Sequence, residues 1–377
     1  METAFRNARI VLPGEIVEGS LRVAADGTIA AVDPGGTAGE DFDGDYLIPG
    51  LVELHTDHLE NHYHPRPNVY WPAMAALQAH DAQIAGAGIT TVFDALRIGS
   101  DIENPDLDLH AASMLSAIET DDADERLRAQ HFVHLRCELP SPDVVAHFEQ
   151  FCAHPMVKLA SVMDHSPGQR QFQSMKHFND YYQKRLRLSD AELQAFIDER
   201  LALQAEHSDP NRREIVRRGK AHGVAFASHD DATLEHVDES VRDGVAIAEF
   251  PTTMVAAEAS HEAGLAVLMG APNVVRGGSH SGNISATDLA RAGYLDVLSS
   301  DYVPFALLQA PFILADKVDA ITLPDAIAMV SRNPARAAKL DDRGEIVPGK
   351  RADLVRVRVM GGTTVVKGVW RQGRRVG

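Results

Sequence analysis

The chain has 377 residues, of which 45% are apolar and 24% are charged, and this composition is typical of a globular protein rather than a disordered or fibrous one. Its formal net charge of -18 argues against a surface that binds nucleic acid or docks on anionic membrane. Two cysteines are too few for a disulfide framework, and neither a signal peptide nor an apolar run of the ~20 residues needed to span a bilayer is visible. We therefore expect a cytoplasmic protein.

Both ends of the chain have the pattern of antiparallel sheet. Residues 1–48 alternate short β-type runs with Gly and Asp-Gly turns, as in "GSLRVAADGTIAAVDPGG", and residues 344–377 repeat this texture. We predict one small β-sandwich domain that is built from both segments. Residues 49–343 would then form the second, larger domain.

The middle of the chain alternates apolar runs with stretches of helical periodicity. Eight runs read as strands, at residues 51–57, 89–95, 131–139, 157–165, 224–230, 245–251, 265–272 and 295–301. Eight β/α alternations predict an α/β fold of the (β/α)8 TIM-barrel type, with a doubly wound open sheet as the alternative. In a TIM barrel the carboxyl ends of the strands converge on one face, which is where we expect the active site.

The first strand ends in "LHTD", which places His55 and Asp57 two residues apart. Side chains with that spacing point to the same face of a strand. Imidazole and carboxylate are reasonable ligands for a divalent metal such as zinc. By itself the pattern is weak, because a His-x-Asp pair in a strand is more often just hydrogen-bonded.

Other strand ends strengthen the metal hypothesis. Glu138 lies in "RCEL", His165 in "MDHSPGQR", His229 in "ASHDD" and Asp301 in "VLSSDYVP". Together with His55 and Asp57 they supply three imidazoles and three carboxylates, enough to hold two divalent ions with Glu138 as a candidate bridge. Such a pair of ions predicts metal-assisted hydrolysis, with Asp301 as a ligand that also accepts the proton of the attacking water.

At this point the sequence resembles the amidohydrolase superfamily, through "LIPGLVELHTD", "AGITTV", Asp301 and "GEIVPGKRADLV". Within it, longer segments such as "ELHTDHLENHYHPRPNVYWP" and "MGAPNVVRGGSHSGN" are most similar to diphosphatases of the carbon–phosphorus lyase pathway of phosphonate use. The resemblance implies a phosphorylated ribose substrate, attack of water on the α-phosphorus of its 5-triphosphate, and release of pyrophosphate. It also implies two divalent ions, with zinc preferred and manganese or iron as alternatives.

The chain departs from the wider superfamily in two places. Most members carry HxH on the first strand, and the HxD here lowers the positive charge by one unit and favours oxygen-preferring ions such as manganese. The later histidines usually come from strands five and six, whereas His165 and His229 end strands four and five, and strand six carries Glu249. Either this strand count is off by one, or Glu249 is a ligand and one histidine is not.

A triphosphate needs cationic and N–H donors, and three segments offer them. The segment "NVVRGGSHSGN" follows the seventh strand, where TIM barrels often bind phosphate. The predicted substrate-binding residues are Arg66, Gln169, Arg170, Lys176, Arg276, Ser279, His280, Ser281 and Asn283. His280 is also a candidate catalytic acid for a leaving oxygen.

The remaining side chains near the first strand are assigned other roles. Glu53 shares the face of His55 one layer deeper and is expected to support the ligands. His58 points the other way. Glu60, His62 and His64 are expected in a loop, where we favour loop structure or substrate contact over metal binding.

Two other functions remain open from the sequence. The same ligand set could serve an amidase or deaminase that acts on a C–N bond, because metal-activated water attacks carbonyl carbon as well as phosphorus. A non-catalytic scaffold is the second alternative, although none of the six ligand positions holds an inert residue. A homo-oligomer, in the simplest case a dimer, is also expected.

Overall fold

The computed structural model describes residues 3–36, 39–100, 107–170, 179, 182–183, 188–279 and 282–377. Its strands form two sheets of eight strands each. The first sheet comes from both ends of the chain and contains β1 Thr3–Leu12, β2 Glu15–Val23, β3 Ile29–Pro34, β4 Glu40–Asp41, β5 Tyr46–Pro49, β14 Leu354–Met360, β15 Thr363–Arg371 and β16 Arg374–Arg375. The second contains β6 Leu51–Thr56, β7 Ile89–Ile98, β8 Gln130–Glu138, β9 Val157–Met163, β10 Ala225–His229, β11 Ile247–Glu249, β12 Ala266–Gly270 and β13 Val297–Ser299.

The terminal sheet is curled and of mixed direction, with the order β16-β15-β14-β5-β1-β2-β3 and β4 paired to β1. β14 pairs antiparallel with β5, so strands about three hundred residues apart in sequence are neighbours. A two-residue turn at Pro13 and Gly14 joins β1 to β2, and Gly14 supplies the left-handed φ of +90° that the turn requires. The predicted β domain of both chain ends is therefore present.

An aromatic cluster holds this sheet together. Phe5, Phe42 and Trp370 are almost fully buried, with ring centroids 4.8 to 5.7 Å apart. Such edge and offset contacts add to the hydrophobic gain of burying large rings. Phe5 and Phe42 come from the N-terminal part of the chain and Trp370 from the C-terminal part, so the cluster fastens the two ends to each other.

The second sheet is parallel, with its strands in chain order from β6 to β13. The backbones of Thr56, at the end of β6, and Asp301, just after β13, also pair, so the sheet is a nearly closed barrel. All eight predicted strands are present with bounds that differ by a few residues, and the TIM-barrel fold class is confirmed. His229 therefore ends strand five and His165 follows strand four by two residues, so the strand count made from the sequence is correct.

Helices follow the barrel strands as predicted. They are α1 His58–Tyr63, α2 Ala73–Gly86, α3 Leu107–Ala123, α4 Val144–Phe151, α5 Asp190–Ala221, α6 Leu234–Arg242, α7 Met254–Glu262, α8 Ala271–Arg276, α9 Ala286–Ala292, α10 Ala306–Lys317, α11 Leu323–Ala328 and α12 Arg332–Ala337. Ser189 and Glu192 form a capping box at α5, and Thr233 and Thr253 cap α6 and α7. Within the described residues, no helix combines the length and apolar character that crossing a bilayer requires.

The chain divides into two compact units. The first comprises Met1–Asp94, Ser116–Phe132 and Leu268–Gly377, and the second comprises Ala95–Leu115 and Val133–Val267. These two units differ from the two predicted domains, which follow the two sheets. The predicted bounds, 1–48 plus 344–377 for one domain and 49–343 for the other, stay a prediction. Each unit has its own cluster of buried charged side chains.

A buried ionic network runs through the first unit. Asp94 accepts hydrogen bonds from His80 Nε2 and His131 Nδ1, each at 2.7 Å, and all three side chains have no exposure. His131 Nε2 lies 3.3 Å from Asp81, which also receives backbone N–H groups from Arg128 and Ala129. Burial lowers the pKa of His131, but the carboxylates of Asp94 and Asp81 outweigh it and raise that pKa to about 9. The network therefore holds one imidazolium between two carboxylates.

We expect the stability of the protein to fall as the pH rises through about 9, because His131 then loses its proton. The pKa of His131 is raised on folding, so its contribution is complete below the unfolded value of about 6.5 and is lost above the folded value. Thermal midpoints measured from pH 6 to pH 10 check this. The decline should be much smaller in His131→Gln, whose midpoint is already lowered by the unpaired buried carboxylates. Parallel profiles in the two proteins would contradict the assignment.

Candidate metal centre

Four side chains of the second unit meet at the carboxyl ends of three neighbouring strands. Glu138 and His229 end β8 and β10, Asp230 follows β10, and His165 lies two residues after β9. Glu138 Oε2 is 2.7 Å from His165 Nδ1. Asp230 Oδ2 is 3.9 Å from His165 Nε2 and 3.5 Å from His229 Nε2. One possible ligand atom from each of His165, His229 and Asp230 therefore lies within 4.8 Å of the others, which is close enough for the three to hold a metal ion.

Burial and neighbouring charges shift the pKa values of this cluster. Burial lowers the pKa of His165, but the carboxylate of Glu138 outweighs it and raises that pKa. Burial lowers the pKa of His229 to about 3, so its imidazole is neutral and keeps a lone pair. Burial raises the pKa of Glu138, but the nearby His165 and Arg97 outweigh it and lower that pKa to about 2, so the carboxylate is ionised. Burial raises the pKa of Asp230 to about 7. Asp230 Oδ2 is buried and has no hydrogen-bond donor among the described residues, which a cation would remedy.

The first unit carries the other three predicted ligands. His55 Nε2 lies 3.7 Å from Asp57 Oδ1, which agrees with their expected common face. Asp301 adopts a left-handed φ of +54° directly after the last barrel strand and pairs by its backbone with Thr56. These residues stay proposed ligands.

Glu53 anchors the strand ends of the first unit. Its side chain is fully buried and accepts hydrogen bonds from His55 N and Ser299 Oγ, each at 2.7 Å, and from Ser300 N. Burial raises the pKa of Glu53 to about 7. The supporting role that the sequence suggested for Glu53 agrees with these contacts, since they fix the backbone beside both His55 and Asp301.

Glu249 lies at the end of the sixth barrel strand, as counted from the sequence. It is fully buried, with Oε2 3.3 Å from His229 Nδ1 and Oε1 3.8 Å from His134 Nδ1. A carboxylate beside the second nitrogen of a ligating imidazole fixes its tautomer and orientation. Glu249 is therefore suited to hold His229 in place. Because the strand count is correct, the alternative that Glu249 itself is a metal ligand stays a prediction.

The predicted phosphate-binding arginines differ in whether a carboxylate already pairs with them. Arg66 and Arg276 are exposed, and neither has an ion-pair partner among the described residues. Arg276 ends α8 and is followed by Gly277 and Gly278, both at positive φ, and Ser279 and Asn283 lie half-buried in the same segment. These side chains stay candidates for binding a triphosphate.

Arg170 has a different environment from the one expected. Its guanidinium is 5% exposed and forms ion pairs with Asp231 and with Glu239, the latter at 2.7 Å. With Gln169 it lines a half-open pocket of about 260 Å³ in the second unit, where Arg212 is paired with Glu239 and Asp243. These carboxylates already satisfy the guanidinium of Arg170, so the contacts favour a structural role for it. Lys176, His280 and Ser281 lie outside the described residues.

One expectation about the first strand is wrong. Glu60 and His62 do not lie in a loop, because His58–Tyr63 forms the short helix α1. Asp230 of the cluster and His134, which lies beside Glu249, were not singled out from the sequence. Asp230 was visible as the first aspartate of "SHDD", and His134 lies within β8 with Nε2 2.9 Å from Ser161 Oγ, where nothing in the strand pattern distinguishes it from a structural histidine.

The sequence comparisons identify the family. The amidohydrolase family matches residues 46–376 of the chain. The chain belongs to this family. The amidohydrolase chain is also 48% identical over 375 residues to the α-D-ribose 1-methylphosphonate 5-triphosphate diphosphatase of Escherichia coli strain K12, which covers 99% of both chains.

Solved structures show the same amidohydrolase fold at low identity. A putative prolidase from Bifidobacterium longum has a TM-score of 0.65 and 16% identity, covering 99% of this chain and 94% of its own. N-acetylglucosamine-6-phosphate deacetylase from Thermotoga maritima has a TM-score of 0.60 and 14% identity, covering 100% of this chain and 99% of its own. Identities this low carry the fold and nothing further.

The donors of the amidohydrolase cluster fit a divalent metal. Imidazole nitrogens and carboxylate oxygens at 3.5 to 3.9 Å from one another suit zinc, manganese or iron(II). The buried and unsatisfied Asp230 Oδ2 supports that fit, because an isolated buried carboxylate oxygen is costly without a partner.

Proposed function

We propose that this amidohydrolase hydrolyses α-D-ribose 1-methylphosphonate 5-triphosphate to the 5-phosphate and pyrophosphate. The observation that carries the proposal is the 48% identity to a diphosphatase of that name over 99% of both chains. The match spans 375 residues, so it includes the segments that supply the proposed ligands. It favours phosphorus over the C–N bonds of amidases and deaminases, which the ligand set alone would also serve.

The proposed ligands are those predicted from the sequence, His55, Asp57, Glu138, His165, His229 and Asp301, with Asp230 added by its contacts. Divalent ions, in our proposal zinc, acidify water and neutralise phosphoryl oxygens when bound. Asp301 accepts the proton of the attacking water. Glu249 orients His229, and Glu53 fixes the backbone beside Asp301.

The phosphate groups of the substrate are negatively charged and need positively charged side chains around them, although the protein as a whole carries a net charge of -18. Arg276 and Arg66 have no carboxylate partners among the described residues, so their guanidinium groups are available for phosphate oxygens. Ser279 and Asn283 add hydrogen-bond donors beside Arg276. The triphosphate thus meets arginines on loops after the first and seventh barrel strands, and pyrophosphate leaves as a neutralised group. Cytoplasmic location and a dimer stay predictions.

The test is a product analysis in ¹⁸O water. Purified protein is loaded with zinc or manganese and incubated with the ribose 5-triphosphate, and phosphate and pyrophosphate are separated by mass. We expect pyrophosphate without label and one ¹⁸O in the sugar 5-phosphate, because water attacks the α-phosphorus. Chelation should abolish the reaction, and added zinc or manganese should restore it.

Other products would contradict the proposed reaction. Release of single phosphate would place the attack on the γ-phosphorus and overturn the diphosphatase assignment. Ammonia release from amides, with the triphosphate untouched, would favour an amidase or deaminase. Absence of bound divalent metal, with no reaction of any kind, would favour the scaffold alternative.

A further inference from the structure

Three histidines outside the proposed catalytic residues gather in the first unit. His58 and His62 are four residues apart on α1, so their side chains share one face of the helix. His80 lies on α2. The ring centroids are 5.2 Å apart for His58 and His62, 5.9 Å for His62 and His80, and 6.2 Å for His58 and His80. The three imidazoles therefore form a nearly equilateral triangle.

In each of the three rings, Nε2 already has a hydrogen-bond acceptor. His80 Nε2 donates to Asp94 Oδ1 at 2.7 Å, and His58 Nε2 and His62 Nε2 both donate to Gln83 Oε1 at 3.0 Å. A ring whose Nε2 carries the proton keeps a lone pair on Nδ1. Ligating histidines commonly have such an acceptor behind them, because it fixes the tautomer and the orientation of the ring.

His80 supplies the independent sign of a ligand. Its side chain has no exposure, and its Nδ1 is buried without a hydrogen-bond partner among the described residues. The Nδ1 of His58 is buried and unpartnered in the same way. Unsatisfied buried nitrogens are rare in proteins, because a polar group that loses water without gaining a hydrogen bond destabilises the fold.

We propose that His58, His62 and His80 bind a divalent metal ion, separate from the ions of the catalytic site. A point equidistant from the three centroids lies about 3.4 Å from each, and a nitrogen bound at about 2.1 Å puts its centroid about 3.2 Å from the ion. Binding would require the half-buried His58 and His62 to turn about their side-chain bonds so that their Nδ1 atoms face this point, while the buried His80 keeps its position.

The ligand chemistry selects the class of ion. Three neutral imidazoles suit zinc, cobalt(II), nickel(II) or copper(II), and they bind calcium or magnesium poorly because those ions prefer oxygen. Asp94 stands behind His80 as a carboxylate partner, which strengthens the donor. The site uses none of the residues proposed for hydrolysis, so it would link α1, the segment directly after Asp57, to the body of the first unit.

Metal stoichiometry tests the proposal without an activity readout. Full-length protein is stripped with chelator, loaded with cobalt(II), and measured for cobalt per chain and for affinity. We expect His58→Gln and His62→Gln each to bind one equivalent fewer than wild type, whatever the total is. Gln83→Leu, which removes the shared acceptor, should bind the same ion 10- to 100-fold more weakly. His222→Gln is the matched control, because it removes an exposed imidazole and should change nothing.

A variant with a spectroscopic signature distinguishes direct binding of the ion by residue 62 from a loss of metal caused by a change elsewhere in the fold. His62→Cys should keep the stoichiometry and gain a cobalt–thiolate charge-transfer band that wild type lacks. Equal cobalt content in wild type, His58→Gln and His62→Gln, or a thiolate band missing from His62→Cys, would overturn the proposal. Pyrophosphate release is measured separately, so the loss of one cobalt would stand even if the proposed reaction were not observed.

Discussion

Replacing Asp301 with asparagine is expected to lower the rate of pyrophosphate release at least about a thousandfold, because the amide cannot accept the proton of the attacking water. The fold should remain intact. Asp301 adopts a left-handed φ of +54°, and asparagine tolerates that conformation about as well as aspartate. The turnover number and the thermal midpoint of the same preparation check both parts of the prediction.

Asp319→Asn is the matched control, since it removes one exposed carboxylate of the same chain. It should leave the rate and the midpoint unchanged. A near-normal rate in Asp301→Asn would remove Asp301 from the role of base. A collapse of the thermal midpoint would instead assign Asp301 to stability.

Replacing Asp230 with asparagine is expected to remove metal without unfolding the protein. Asp230 Oδ2 lies 3.5 Å from His229 Nε2 and 3.9 Å from His165 Nε2, so it completes the donor set of the second unit. Its φ of +56° again suits asparagine. The variant should hold less zinc or manganese after dialysis and should lose at least about a hundredfold in rate.

The thermal midpoint of metal-free Asp230→Asn should equal or exceed that of metal-free wild type, because Oδ2 has no donor among the described residues to lose and the substitution removes a buried carboxyl. Asp238→Asn on the exposed side of α6 serves as the control. Unchanged metal content in Asp230→Asn would mean that Asp230 only shapes the strand end.

The fold could be predicted from the sequence because the signals are periodic. Each of the eight barrel strands is a short apolar run between helical stretches, and burial on both sides of a parallel sheet demands such runs. The sequence predicts that strands from the two chain ends share one sheet, but it does not predict the register of β5 against β14. That register depends on contacts between distant segments.

The metal centre could be predicted only in part. His165 and His229 were visible as polar residues at strand ends, and the strand count made from the sequence holds. Asp230 was visible in "SHDD" but could not be singled out as a ligand, because its left-handed φ of +56° is not encoded by sequence periodicity. Arg170 had the right residue type for a phosphate, but its pairing with Asp231 and Glu239 depends on the packing of α6.

The buried networks of histidine and aspartate side chains were the hardest features to predict from the sequence. His80, Asp94 and His131 are scattered over a helix and two strands, and each alone is an ordinary residue in an apolar context. His62 looked like a loop residue and His58 like a strand-end residue facing away from His55, because a helix of six residues has too little periodicity to be recognised. Only the folded chain brings their rings next to His80.

The terminal sheet constrains the order in which the molecule can be made. β1 to β5 leave the ribosome first, but β5 acquires β14 as a neighbour, and Phe5 acquires Trp370, only after more than three hundred further residues have been synthesised. Until then Phe5 and Phe42 lack the indole that covers them, and one edge of β5 is unpaired. The amino-terminal strands therefore keep this edge and these rings exposed until β14 and β15 have been synthesised and cover them.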